Sequence, residues 1–295
     1  IQSERLAKLI DDAKTGDAAA MAVATKLELA PDKIDRVIRL SVTLDDLSVL
    51  TSAEVELKEA GWVPPDHDLA PALLISDLGC VVDILTNPIQ VLHYLSERSF
   101  FQKGFDLLGD ELDFLGLYLV TGFNLAAIQR KEMQFVPSGM SAPLDRYYTS
   151  RDAGITLPKP KMKLGKAFSR IIGQLATKRP PGWTTSGIYL LACADPGEQA
   201  EVDRKLDELR GMVRKNYRDP KHINSLQIHP PERRKAGVLF FVFPGSRRDS
   251  MREDMEQLAA EFIEGSDLDS CVLIGKNVDR WDAPYEALLL VHSQR

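Results

Sequence analysis

The chain has 295 residues, of which 44% are hydrophobic and 27% charged, and carries a formal net charge of −6. That length and apolar content suffice for a substantial core and favour two or three domains, which excludes a disordered chain. The longest apolar patches, such as Val238 to Phe243 and Ala287 to Val291, are strand-sized and far short of the roughly 18 apolar residues of a membrane helix.

A soluble, cytoplasmic protein is expected. The chain opens on Ile1, and Gln2 to Ala13 has neither the basic start nor the apolar middle of a signal peptide, so the sequence reads as a fragment. Cys80, Cys193 and Cys271 lie far apart in apolar stretches without CxxC spacing, the pattern of free thiols in a reducing compartment. The charge is unevenly spread: residues 1–150 carry 13 basic and 23 acidic side chains, 151–235 carry 18 and 9, and 236–295 carry 6 and 11. A basic middle between acidic ends permits contact with a polyanion, although it is also compatible with an ordinary solvated surface.

Leu6, Leu9 and Ile10 fall at helical spacing and Gly16 leads into an alanine-rich segment, which predicts two helices ending before Pro31. Ile38, Leu40, Val42 and Leu44 alternate with polar residues, so Val37 to Leu44 is expected as a strand. Ala72 to Ile75 reads as a second strand, with Asp77 capping a helix over Leu78 to Leu85. Asn87-Pro88 starts a further helix, and Asp110 with Asp113 caps an apolar one through Val120, stopped near Gly122. Gln134 to Pro160 is broken by prolines and glycines and reads as an extended connector, followed by a basic helix from Lys163 to Lys178. Pro180-Pro181-Gly182 marks a domain boundary. Beyond it the expected elements are a strand at Gly187 to Ala192, a helix at Glu198 to Lys215, a strand at Val238 to Phe243, a helix at Ser250 to Glu264, and strands at Cys271 to Ile274 and Ala287 to Val291. The fold class is therefore α/β: a segment 1–86, a helical middle with basic connector 87–182, and a C-terminal α/β sheet domain 183–295.

Zinc-helix, nucleophile-elbow, dinucleotide and P-loop signatures are absent. His67, His93, His222, His229 and His292 are not spaced as a metal set, and no metal site is assigned to them. His93 would become an acid–base group if Asp110, Glu111 or Asp113 packed against it; a hydrogen-bonded structural histidine is the plainer reading. Pro31-Asp32 with Glu56-Leu57-Lys58 has the letters of a nuclease centre, in which carboxylates hold Mg²⁺ and a lysine steadies the attacking water. Asp32, Glu56 and Lys58 are thus the catalytic candidates of a self-contained hydrolase. Yet Asp32 precedes a strand instead of ending one, and residues 54–59 also fit a solvated helical charge run. No other cofactor is evident. Lys159, Lys161, Lys163 and Lys166, together with Arg247 and Arg248 in the turn after Phe243, are the candidate contacts to nucleic acid or another anion. Ser250 and Glu253 have capping-box spacing, and Gly275-Lys276-Asn277 is expected as a loop converging on the same end of the sheet. Trp183 and Trp281 read as packing anchors.

The series Asp77-Leu78-Gly79-Cys80-Val81-Val82-Asp83-Ile84-Leu85, Asn87-Pro88, Leu92-His93-Tyr94-Leu95, Arg98 and Asp110-Glu111-Leu112-Asp113 with Tyr118-Leu119 resembles a segment of uncharacterised bacterial proteins. In those, a restriction-endonuclease-like domain precedes helices and a further α/β region, as in phage-defence nucleases. The resemblance covers residues 1–125 and implies that Val37 to Leu44 and Ala72 to Ile75 close a nuclease-like remnant whose catalytic strand lies upstream of Ile1. It transfers no catalytic residue. The function it implies is a non-catalytic or incomplete part of a nucleic-acid-processing, antiviral protein, with nucleic acid, a homo-oligomer or a protein complex as partners. The other reading is a scaffold module without nucleic-acid contact.

Overall fold

Short polar side chains open several helices by accepting backbone protons that a helix start leaves free: Ala20 N–H donates to Asp17 Oδ1 at 2.8 Å and Ile89 N–H to Asn87 Oδ1 at 2.9 Å. The computed structural model describes residues 2–34, 36–45, 47, 54–67, 69–104, 106–107, 109–124, 134–217, 224–230 and 234–293. His222 and Leu125 lie outside the described residues. The chain divides into two compact units, one of Ile1–Thr86, Val91–Leu119 and Ala127–Lys161, the other of Asn87–Gln90, Val120–Ala126 and Met162–Arg295. The fold is mixed α/β, and no helix among the described residues is long and apolar enough to cross a membrane.

The first unit starts with helices α1 (Gln2–Lys14) and α2 (Ala18–Lys26), followed by strand β1 (Ser41–Thr43), the short α3 (Glu54–Glu59) and β2 (Ala72–Leu74). The predicted strand from Val37 to Leu44 pairs over three residues only, in parallel with β2, and Ile75 begins α4 (Ile75–Ile84) instead of ending the strand. The helix cap is Leu74, so Asp77 sits inside the first turn, where its charge complements the helix dipole. Helices α5 (Pro88–Gly104) and α6 (Glu111–Thr121) supply the expected helical middle, with Asp113 N–H donating to Asp110 Oδ1 at 2.8 Å. Two-residue strands β3 (Asp106–Leu107) and β4 (Gln134–Phe135) pair in parallel. The region read as an extended connector contains a helix, α7 (Ala142–Asp152), because its Pro143 falls in the first turn, where proline lacks nothing a helix needs. Gly116 makes the close approach possible: a Cβ there would lie 1.9 Å from the Met140 carbonyl oxygen.

In the second unit the order is α8 (Lys166–Lys178), α9 (Trp183–Ala192), α10 (Pro196–Asn216), β5 (Ser225–Ile228), β6 (Ala236–Phe243), α11 (Met251–Glu264), β7 (Ser270–Asn277) and β8 (Ala287–His292). The predicted strand Gly187 to Ala192 is the second half of α9. That helix is buried at Thr185, Ser186, Gly187, Ile188, Leu190, Leu191 and Ala192, so no polar face breaks its apolar run into a helical period. The Pro180-Pro181-Gly182 punctuation is real but local: Arg179 and Gly182, both left-handed with φ of 47° and 69°, turn the chain between α8 and α9.

The four strands form one sheet in the order β5-β6-β7-β8, with β6 and β7 parallel and the two outer pairings antiparallel. Val238, Phe240, Val242, Val272 and Ile274 join α8, α9 and α10 in one core, while Leu239, Phe241, Phe243, Cys271 and Leu273 pack with Met255, Ala259, Phe262 and Ile263 of α11. Both faces are covered, which is why β6 reads as an unbroken apolar run. The carboxyl end of α9 is closed by Asn124, whose amide donates to Leu191 O and Ala194 O at 3.0 Å each, and by Arg234, which bonds Ala192 O and Asn124 Oδ1.

Candidate functional site at the carboxyl edge of the central strands

Parallel strands bring the loops at their carboxyl ends side by side, the edge where ligands collect in open α/β sheets. Here Phe243 pairs with Asn277, the last residues of β6 and β7. The two departing loops are tied together: Gly245 N–H donates to Asp279 Oδ2 at 2.8 Å and Asp279 N–H to Asn277 Oδ1 at 2.9 Å. Convergence of the two loops, expected from the sequence, is observed. Gly275, Lys276 and Asn277 nevertheless belong to β7 and not to a loop, because the strand runs on to match the full length of β6. The Ser250 capping box does not form. Ser250 adopts helical torsions and its hydroxyl turns to Arg247 O and Asp254.

The cations of this turn are neutralised within the chain. Arg247 pairs with Asp254 at 2.9 Å and lies over the Tyr217 ring, and Arg248 pairs with Glu286 at 2.9 Å. Glu286 also receives Arg280 at 3.2 Å.

Next to the turn lies a cavity of about 90 Å³, lined by Lys166 and Arg170 of α8, Asp203 and Asp207 of α10, Lys276 of β7, and Trp281. Strand alternation places Lys276 on the same face as Val272 and Ile274, so an amine stands where the pattern calls for an aliphatic side chain. Its ammonium donates to the carbonyls of Trp281, Ala283 and Pro284 at 3.3, 2.8 and 3.2 Å, spending all three protons on the β7–β8 connection. Burial, then the Arg170 and Arg210 guanidiniums, lower this amine to about 8; Asp282 and Asp207 act in the opposite direction. The Trp281 indole N–H donates to Asp207 Oδ1 at 3.2 Å, and Lys276 Nζ and the Arg210 guanidinium stand 4.7 and 5.1 Å from its ring centroid.

The two cavity carboxylates are engaged. Asp203 takes the Lys166 and Ala167 backbone N–H groups at 2.5 and 2.9 Å, filling the anion position that the start of α8 offers. Lys166 and Arg170, one helical turn apart, have no ion-pair partner among the described residues, although Arg170 also bonds the Asp282 carbonyl. Lys163 is exposed but does not line the cavity, and Lys161, also exposed, belongs to the first unit; the anion site is confined to Lys166, Arg170 and Trp281. Such a set can hold an anionic group against an aromatic wall. Neither buried cysteine lines this cavity, and burial pushes the Cys271 thiol up to about 12 and Cys193 higher.

The remaining candidates lie in the first unit. Lys159 is committed to Asp83, bonding its carboxylate and its backbone carbonyl at 2.7 Å each; Tyr148 also donates to that carboxylate. The Lys159 bond holds Asp83 below the usual carboxylate range. Asp32 occupies a single 3₁₀ turn, and Glu56 and Lys58 lie on α3, where Lys58 pairs with Glu54 at 2.8 Å. Helices α5 and α6 do pack together, but Glu111 serves Tyr94 and, at 3.1 Å, Arg98; His93 Nδ1 meets Tyr118 Oη at 3.0 Å. His67 pairs with Glu4 and His229 stacks edge-on against Phe262. Among the described residues no group of three or more His, Cys, Asp or Glu side chains is placed to hold a metal ion.

Arg170, Asp203, Asp207 and Lys276 escaped the sequence reading as site residues. The one local signal was a lysine in phase with Val272 and Ile274. No family model, curated protein or solved structure matches this chain.

Proposed function

We propose that this chain is a non-catalytic, substrate-positioning or assembly part of a nucleic-acid-processing protein of the bacterial restriction-nuclease-like, antiviral kind, and that its second unit contacts the nucleic-acid backbone. The observation that carries the reading is the Lys166–Arg170 pair, without an ion-pair partner among the described residues and lining a cavity walled by Trp281, with exposed Lys163 three residues earlier in the chain. Cations without an ion-pair partner on a helix suit phosphate contact, and an aromatic wall suits an unpaired base.

The reading is tested by titrating labelled single- and double-stranded DNA and RNA with the protein at increasing salt. Binding that weakens steeply with salt, and weakens further in a Lys163→Ala, Lys166→Ala, Arg170→Ala variant, is the expected result. No binding at low salt, or binding indifferent to those three changes, would overturn it.

Support for the scaffold alternative comes from α4, where Ile75 and Val82 are 56% and 52% exposed on either side of Gly79, whose Cβ position is open. A partner captured through Ile75 and Val82 by a chain that binds no nucleic acid would favour that reading.

A further inference from the structure

Strand β8 lies at the edge of the four-stranded sheet. Ser270 N–H donates to the Lys235 carbonyl on the β6 side, so the even residues of β7 turn their backbone toward β6 and the odd ones toward β8. Cys271–Val291, Leu273–Leu289 and Gly275–Ala287 are therefore the hydrogen-bonded pairs. It follows that the backbone groups of Leu288, Leu290 and His292 face outward.

Open edges are ordinarily protected by lysine, proline, a bulge or extreme shortness. The opposite edge, β5, has only four residues and an exposed Gln227. β8 has no lysine or proline and is not short: Ala287-Leu288-Leu289-Leu290-Val291-His292 is six residues long, without Asp, Glu, Lys or Arg, and its first five residues are each only partly buried. Its side chains also feed two cores at once, Leu288 and Leu290 on the α8–α10 side and Ala287, Leu289 and Val291 on the α11 side.

We propose that the open edge of β8 pairs with β8 of a second copy of this chain, antiparallel and centred on Leu290, joining two four-stranded sheets across a two-fold axis.

A second copy fits because the strand is complementary to itself under that operation. With Leu290 opposite Leu290, Leu289 meets Val291 on one face and Leu288 meets His292 on the other, and no like charges are opposed. Both cores then continue across the axis, and the outward N–H and C=O groups of Leu290 satisfy each other. A strand pair of this length is small beside a standard interface, so the dimer is expected to form in roughly the micromolar range.

Sedimentation or light scattering of the full chain over a concentration series should show a monomer–dimer equilibrium. Leu288→Lys restores a charged edge, and His292→Pro removes an outward N–H at an exposed side chain; each is expected to raise the dimer Kd about tenfold or more. Leu290→Cys reports the register directly: paired across the axis, the two Cα atoms fall within disulfide reach, about 4.4–6.8 Å, and oxidation gives a covalent dimer. The parent chain, whose cysteines lie at 80, 193 and 271, should stay monomeric on denaturing gels under the same oxidation. A chain that stays monomeric at every concentration, a dimer indifferent to both edge variants, or a dimer that Leu290→Cys fails to cross-link overturns the proposal. These outcomes do not depend on nucleic-acid binding.

Discussion

Lys276 Nζ stands 2.8 Å from the carbonyl oxygen of Ala283, one of three carbonyls that the same ammonium holds in the connection from β7 to β8. Lys276→Met keeps the length of the side chain and removes all three bonds. We expect a loss of about 1–3 kcal/mol in urea unfolding and a changed Trp281 fluorescence, because that indole rests against the amine. The folded amine, at about 8, lies below its ordinary 10.5. Between these values the unfolded chain binds more protons, so stability contributed by this group rises with pH across the window. The Lys276→Met variant should lack that rise.

Glu111, Arg98 and Tyr94 form a buried network in the first unit, with Glu111 3% and Arg98 1% exposed. Removing the carboxylate strands a buried guanidinium beside the Phe114 ring, whose centroid lies 4.0 Å away. Glu111→Ala is expected to cost about 3–5 kcal/mol in chemical unfolding, and Glu111→Gln less, since the amide oxygen still accepts a bond.

Lys159 and Lys166 look alike in sequence and differ in what they face. Lys166→Ala should lower the slope of log affinity against log salt by roughly 0.7–0.9, the effect of losing one phosphate contact, whereas Lys159→Ala should leave that slope unchanged. What Lys159→Ala changes is acid stability. Asp83 is held below the usual carboxylate range first by Lys159. Its contribution is therefore present above the ordinary carboxylate value and disappears as pH falls through the folded one. Acid unfolding of the parent chain should show this loss, and the variant should show less of it.

Asp203 stabilises the start of α8 and simultaneously occupies its anion position. Asp203→Asn is expected to lower stability by about 0.5–1 kcal/mol while increasing affinity for oligonucleotides at fixed salt. Opposite signs in the two assays identify the residue as a competitor of the ligand; a joint decrease would reduce it to a helix cap.

The elements that could be read from the sequence were those with a clean period or a polar cap. The helix read at Glu198 to Lys215 is found at Pro196–Asn216, where the structure adds a reciprocal Asp195–Glu198 capping box, and β6 shows as eight consecutive buried residues flanked by turn signals. The half of α9 read as a strand failed for the opposite reason: a segment buried on nearly every side carries no periodic trace of its geometry. The site was less legible still. Lys159 and Arg248 stand out as cations, but their carboxylates lie elsewhere in the chain, Asp83 being 76 residues from Lys159 and Glu286 on the β7–β8 connection. Charge in sequence does not reveal which charge is already spent. Lys276 was visible only as a break in alternation, and its meaning depends on three carbonyls that follow it by five to eight residues.

Asp203 and Asp279 fill backbone donors that a helix start and a glycine turn would otherwise present to solvent. Each is a tethered rival, present at the high local concentration that covalent linkage confers. A lone small anion gains nothing by displacing a partner of equal charge. On the proposed function, a ligand has to bring several charges at once and engage the side chains around the rivals, so the tethered carboxylates would set an entry threshold that selects a phosphate polymer over the simple anions surrounding the protein.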